Sequence, residues 1–398
     1  MIIRPVKFFL VSLFFLSQSF LFSQITDAEH SEKHSDNTEV SQKKPFNTGE
    51  MIMEHILDAY EWHILTWKET HISFPLPVII YRDGSFITFM SSAFHHGHSP
   101  ALFNENNQII HTEDVNQIDA VSYGLAVMHE GSHKGKLAYI KLDEYTKNHQ
   151  IVEDIEAGMP YDFSITKNVV ALWFSLILLM VIFFGVAKSY KTRRGLAPKG
   201  IQSALEPFIV FIRDDIAKPS IGEKKHAKYL PFLLTVFFFI FINNLLGLIP
   251  FFPGGANLTG NIAITLVLAL FTFVITTFSA NKNYWSHIFN TPGVPWWLKI
   301  PLPLMPVVEI MGVFTKPFVL MVRLFANITA GHIIVLGFIS LIFIFGNMNT
   351  SFGFGVSIIS VAFTVFLTFL EFLVALIQAY VFTLLSALYF GAATEEHH

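Results

Sequence analysis

Four ionisable side chains sit where an apolar run has no ordinary use for them: Glu309, Arg323, His332 and Glu371. Arg323 falls midway along the apolar stretch 303–345, in KPFVLMVRLFANITAGH. Placing an arginine at the centre of a bilayer costs about 2.5–3.5 kcal/mol on insertion scales. Its guanidinium keeps its proton in a protein, so it cannot relay protons; what it offers is a fixed positive charge. Snorkelling to an interface would need a nearby helix end, and Arg323 lies ~30 Å from either end of its stretch. The arginine reads as functional.

His332 and Glu371 can titrate and so can pass protons. Glu309 can do the same nearer the other end, 14 residues and ~21 Å before Arg323. A bland alternative has Glu309 and Lys316 pairing at an interface, although seven residues apart they share a face without direct contact. If the two long apolar stretches are antiparallel helices with Gln378 level with Arg323, Glu371 lies ~10 Å to one side. His332 lies ~13 Å in the same direction, so the two form a titratable pair at one depth. Nine residues from Arg323, His332 points away from the face that shows Arg323 and Asn327. Arg323 is then left with a neutral amide, Gln378. Its missing carboxylate should come from another protein.

The elements that must hold these groups belong in a membrane. Charged residues are 14% of the 398 and hydrophobic ones 52%, with 43 phenylalanines; a soluble domain carries roughly 25% charge. Between Tyr229 and Thr394 the charges are Lys282, Lys299, Glu309, Lys316, Arg323 and Glu371, too few to cover a water-facing surface. A soluble enzyme is excluded. The net charge of −4 offers nucleic acid no basic stripe. With no cysteine, disulfides, thiolate metal sites and iron–sulfur clusters are excluded as well.

Residues 1–24 read as a secretory signal peptide, with Arg4 and Lys7 before an apolar run and an imperfect cleavage site. Residues 25–45 read as a flexible linker. Residues 46–165 read as a small α+β extracytoplasmic, periplasmic domain. In it MIMEHILDAYEWHIL has helical spacing, and Asp83-Gly84 separates two β-rich runs as a hairpin turn. Residues 166–398 form an all-α polytopic membrane domain of about five transmembrane helices. The spans fall at 169–187, 229–250, 258–280, 303–345 and 354–391, with an interfacial amphipathic helix at 200–228. The basic cluster Lys188, Lys191, Arg193, Arg194, Lys199 puts the end of the first span in the cytoplasm, and the C-terminus there too. The last two stretches are ~60 Å long as helix against a core of ~30 Å, so they read as a long, tilted antiparallel hairpin.

On these residues the chain resembles subunit a of the F-type ATP synthase. The resemblance rests on the run Arg323-Leu324-Phe325-Ala326-Asn327-Ile328-Thr329-Ala330-Gly331-His332. It extends to Asn244-Leu245-Leu246 with Pro250, to Glu309 with Lys316-Pro317, and to Ile377-Gln378-Ala379-Tyr380-Val381-Phe382. It covers about residues 165–395. It implies a proton-conducting stator in the bacterial inner membrane that is not catalytic alone, needs no cofactor or metal, and works with a ring of c subunits. Further partners would be the b subunits, the rest of the F0F1 complex and membrane lipid. Arg323 would face the c-ring carboxylate and separate two half-channels, with Gln378 and Asn327 as its neighbours. His332 and Glu371 would occupy the outer half-channel and Glu309 the cytoplasmic one. Some members carry the acid on the first of these helices and the histidine on the second; here the pair is exchanged. Gly247 stands where many relatives have an aspartate, and the domain before residue 165 has no counterpart in the minimal pattern.

Two weaker signals belong to that domain. His129-Glu130-Gly131-Ser132-His133 matches the H-E-x-x-H zinc string, which needs a helix that its glycine and serine oppose. His95-His96-Gly97-His98 reads as a solvated loop rather than a metal site. A transporter working alone would require an internal acid for Arg323 and inverted repeats, and the sequence shows neither. A membrane-anchored zinc hydrolase would require metal in the external domain, and a purely structural anchor leaves Arg323, His332 and Glu371 unexplained together.

Overall fold

The structure, a computed structural model, describes residues 48–49, 52, 57–67, 70–94, 99–110, 121–128, 133–142, 145, 151–249, 254–289 and 304–395. The expected signal segment, the linker, the 95–98 histidines, residues 129–132 and Pro250 lie outside the described residues. The chain divides into two compact units, one reaching Leu172 and also holding Ile249–Ala256, the other formed by Trp173–Leu248 and Asn257 onward.

The first unit is built on three antiparallel sheets. β1 (Glu61–Trp67) pairs with β2 (Thr70–Pro75). β3 (Pro77–Arg82) and β4 (Ser85–Met90) form a second sheet with β9 (Tyr161–Asp162), in the order β4-β3-β9. β5 (Ala101–Phe103), β6 (Ile109–Ile110), β7 (Tyr123–Val127) and β8 (Leu137–Ile140) make the third, ordered β6-β5-β7-β8. Alternation along β3 and β4 buries Val78, Ile80, Ile87 and Phe89, which meet Phe103, Tyr123 and Leu125 of the third sheet. Phe103 stacks on Tyr123 at 4.9 Å between centroids.

The hairpin expected at Asp83-Gly84 is present. Arg82 pairs with Ser85, and Asp83 and Gly84 have φ of 49° and 85°. Two successive left-handed residues give the turn whose twist suits flanking strands, and Asp-Gly tolerates it at small steric cost. The helical spacing read in residues 51–65 does not hold to its end. Residues 61–65 belong to β1, which pairs with β2 from Glu61↔Pro75 to Trp67↔Thr70. Cross-strand pairing of a Trp-, Ile- and Thr-containing run overrides the apparent period. His133 of the zinc-like string lies in the turn before β8 with Nδ1 2.6 Å from Glu153, not on a helix. Among the described residues no group of three metal-ligating side chains occurs.

Helix α1 (Lys167–Thr192) starts within this first unit. Asp58 caps it: one carboxylate oxygen accepts from the Asn168 amide at 3.1 Å and the other from the Thr166 hydroxyl at 2.7 Å. The Lys167 amide donates to the Ala59 carbonyl at 2.8 Å. These bonds satisfy donors that a helix start leaves unpaired.

In the second unit, α2 (Ile201–Phe211), a π-helical turn (Ile212–Ala217) and α3 (Lys218–Ile221) form one amphipathic segment where an interfacial helix is expected. Its Ile212, Ile216 and Ile221 are buried, while Asp214 pairs with Arg213 at 2.7 Å and Lys218 at 2.8 Å. Those cations, Arg213 first, hold the Asp214 carboxyl well below the usual range. α4 (His226–Gly247) and α5 (Ile262–Ser279) follow, then the short α6 (Lys282–Phe289). α7 (Leu304–Met348) and α8 (Thr350–Thr394) are 45 residues each. Five of these helices, α1, α4, α5, α7 and α8, are long and apolar enough to cross a membrane.

The last two are unbroken. Residue 349 alone separates them, and its side chain caps α8 by accepting from the Ser351 amide at 2.9 Å. The stretch 346–355, between the two expected spans, is therefore almost wholly helical, because an uncharged run in an apolar setting satisfies its backbone best as helix. At ~1.5 Å per residue each helix is about twice the hydrocarbon thickness, so both must incline steeply. α8 presents a small-residue stripe, Ala375, Ala379, Thr383, Ser386, Ala387, that is buried against its neighbours. At its end Thr394 accepts through its carbonyl from Lys225 at 2.7 Å and from Asn281 at 3.0 Å. The start of α4, the end of α5 and the end of α8 thus meet at one end of the bundle.

Replacing Asp58 with alanine should cost about 1 kcal/mol at the α1 cap. Hydrogen exchange of the full chain in detergent should show the 166–170 amides opening about fivefold faster.

Candidate functional site

A cavity of about 340 Å³ lies between α4, α7 and α8. It is lined by Asn244 of α4, by Asn327, Gly331 and His332 of α7, and by Glu371 and Gln378 of α8. Four of the six expected site residues therefore share one space. Its remaining walls are apolar, including Ile328, Val335, Leu367 and Val374. His332 Nδ1 stands 3.7 Å from Glu371 Oε1, both half-buried. The helical arithmetic for their common depth agrees with this distance.

Five residues turn a helix by ~140°, and Asn327 and His332 both line the cavity.

Gly331 leaves space that the Glu371 carboxyl occupies. A Cβ at that position would fall 2.7 Å from Glu371 Oε1, below any real contact. The absence of a side chain on α7 thus makes room for the carboxyl on α8.

Arg323 lies outside the lining of this cavity, one turn before Asn327 on α7. It is exposed, and among the described residues no carboxylate pairs with it. Leu320, Met321 and Leu324 beside it are buried, so the backbone is packed while the charge faces outward. Gln378 of α8 is buried. Glu309 lies far from these groups, beside Tyr284 of α6; burial first, and the Glu309 charge second, push the Tyr284 phenol upward. Glu309 and Lys316 form no ion pair with each other. Lys316 instead stands 5.7 Å from the Tyr389 ring centroid, and Tyr389 also lies within electrostatic reach of Arg323.

Residues 169–391 match the family model described as ATP synthase A chain. The chain belongs to this family. All six expected site residues fall inside the matched region. Residues 51–163 match a separate model, described only as a domain of unknown function (DUF8433). Among curated relatives, "ATP synthase subunit a 2" of Chlorobaculum tepidum is 49% identical over 240 residues, covering 59% of this chain and 64% of its own length. "ATP synthase subunit a" of Chloroherpeton thalassium is 43% identical over 252 residues, 61% of this chain and 71% of the relative. The protein of that name from Anaeromyxobacter dehalogenans is 36% identical over 310 residues, 70% of this chain and 76% of the relative. The chain thus spans roughly two thirds to three quarters of the length of these relatives.

The sequence reading undervalued Asn244, noting it only within a motif. Its amide donates to the Ala375 carbonyl at 3.3 Å and its carbonyl oxygen accepts a short bond from the Thr259 hydroxyl, all buried. Asn244 therefore ties α4, the approach to α5, and α8 at the cavity wall. An asparagine inside an apolar span is the available signal, since such a group must find partners in its own bundle.

Asn244→Ala removes the acceptor of the buried Thr259 hydroxyl and the second bond to the Ala375 carbonyl, which keeps its helical partner. Loss of about 1–3 kcal/mol is expected, read as earlier thermal unfolding of the purified protein in detergent.

Proposed function

We propose that this chain is the proton-conducting stator subunit of a rotary F-type ATP synthase. Arg323 carries the reading: a permanent cation on a membrane-length helix, exposed on the surface of the chain, with no carboxylate partner among the described residues. A charge so placed is stable only beside a partner's anion, and a carboxylate on a c-subunit ring would supply it. The cavity beside it supplies the second requirement, a route by which protons reach that carboxylate. The matched family supports both.

On this reading a proton enters from the periplasmic side past His332 and Glu371, moves along the amide-lined cavity at Asn327 and Gln378, and neutralises the ring carboxylate. The neutral form can turn into lipid, which an ionised one cannot. Returning to the stator, it meets Arg323, whose charge favours the ionised carboxylate and so drives proton release. The proton leaves past Glu309 on the cytoplasmic side. Because Arg323 cannot be deprotonated, it keeps the two routes apart. Each charge that crosses 100 mV contributes about 2.3 kcal/mol, so several transfers are needed for each ATP. ATP chemistry belongs to other subunits of the complex, and b subunits complete the membrane sector.

The same reading makes residues 166–398 the channel domain, residues 46–165 a periplasmic domain, and residues 1–24 a signal peptide followed by a linker to residue 45. The C-terminus is cytoplasmic, in a bacterial inner membrane. The basic cluster after α1 supports that orientation, as does the meeting of the α4 start, the α5 end and the α8 end on one side.

The deciding experiment is ATP-driven acidification of inverted membrane vesicles. Arg323→Ala is expected to abolish pumping while the complex still assembles; normal pumping in that variant would overturn the assignment. Gly331→Ala tests the cavity. Displacing the Glu371 carboxyl should slow pumping several-fold with Arg323 intact, and unchanged pumping would remove His332 and Glu371 from the route.

A further inference from the structure

The outward face of β4-β3-β9 carries a row of aromatic side chains in water-accessible positions. The register pairs Pro77↔Met90, Ile79↔Thr88 and Tyr81↔Phe86 all point away from the core. None of these six is charged. Tyr161 pairs with Tyr81 across β9, and Phe163 continues the line. The rings touch in a chain: Tyr81 to Phe86 at 5.0 Å, Tyr81 to Tyr161 at 6.5 Å, Phe86 to Phe163 at 6.1 Å. Phe86 is 67% exposed, Tyr161 71% and Phe163 60%. Folding alone gives no reason to gather four aromatic rings on a solvated surface.

The row leads directly into the first membrane helix. Beyond β9 the chain keeps pairing with β3: the Phe163 amide donates to the Ile79 carbonyl at 2.8 Å and the Ile165 amide to the Pro77 carbonyl at 3.0 Å. Two residues later α1 begins, its first turn fixed to the same unit through Asp58 and Ala59. Phe163 therefore stands within ~14 Å of chain from the helix entry. Aromatic side chains, tyrosine among them, collect at the level of lipid headgroups, where one end of the ring is apolar and the other wet.

We propose that this face lies flat on the outer membrane interface, its rings in the headgroup and upper acyl region of the bilayer. An upright sheet would bring only the Pro77–Met90 end to lipid. Tyr81 and Phe86, four residues and ~13 Å further along, would stay in water. The most exposed aromatics lie at that far end, so the flat arrangement is the one that covers them. The proposal rests on the reading of α1 as a membrane span.

The chain contains no cysteine, so single labels can be placed without background. Nitroxides at Phe86→Cys and Phe163→Cys would be examined in the full chain, assembled with its complex in liposomes. Two references accompany them: Phe184→Cys, exposed midway along α1, and Glu105→Cys in the exposed β5–β6 turn. Power saturation with oxygen and with a water-soluble nickel chelate reads depth. Positions 86 and 163 are expected to favour oxygen over nickel at least threefold more than position 105 does. Nickel-accessible labels at 86 and 163, with 184 still lipid-like, would overturn this proposal alone. Labels at 86 and 163 shielded from both reagents would also overturn it, because protein rather than lipid would then cover the face. A water-like label at 184 would instead overturn the membrane-span reading on which the proposal stands.

Discussion

A guanidinium held open on a membrane-length helix dictates much of what surrounds it. Arg323 cannot be neutralised, and hydrocarbon cannot solvate it, so its environment must supply charge or water. Among the described residues no carboxylate pairs with it. Instead it packs the flanking Leu320, Met321 and Leu324 into the bundle and leaves the charge on the outside. A structure built this way is incomplete alone, and that incompleteness is the physical content of the stator reading.

The two long helices follow from the same constraint. A hairpin of two 45-residue helices offers a broad, continuous surface on one side while the other side packs against α4 and α5. Backbone polar groups inside the bilayer are satisfied within each helix, so the break is confined to residue 349. Close packing is achieved with small residues rather than with hydrophobic attraction, which lipid does not provide between helices. Polar side chains then fix the register: Asn244 between Thr259 and Ala375, and Thr272 beside Ser386 at 3.3 Å. The cavity shares Asn244 and Ala375 with this packing.

The N-terminal β unit obeys different rules. Its strands alternate, its core is aromatic, and its hairpin turns on two left-handed residues. It reaches the membrane half through the Asp58 cap, a bond set that lets a strand end become a helix start without orphaned amides.

Composition, charge sparsity and span spacing were enough, read from the chain alone, to give a polytopic helical protein preceded by a small α+β domain. They also marked Arg323, His332, Glu371 and Glu309, because ionisable groups in hydrocarbon are expensive and stand out against it. The Asp83-Gly84 turn was equally legible, since its backbone demands those residue types. Other features depended on neighbours far away in the chain. Residues 61–65 look helical until β2 pairs with them, and that Asn327 and His332 share a cavity with Asn244 of α4 is invisible along α7 alone. Gly331 is one glycine among 23 until Glu371 from another helix occupies the space above it. The sequence determined which groups are costly in a membrane, because that cost is local to each side chain. Only the tertiary structure decided which of them meet, because a contact between helices is set by register and packing that no single helix contains.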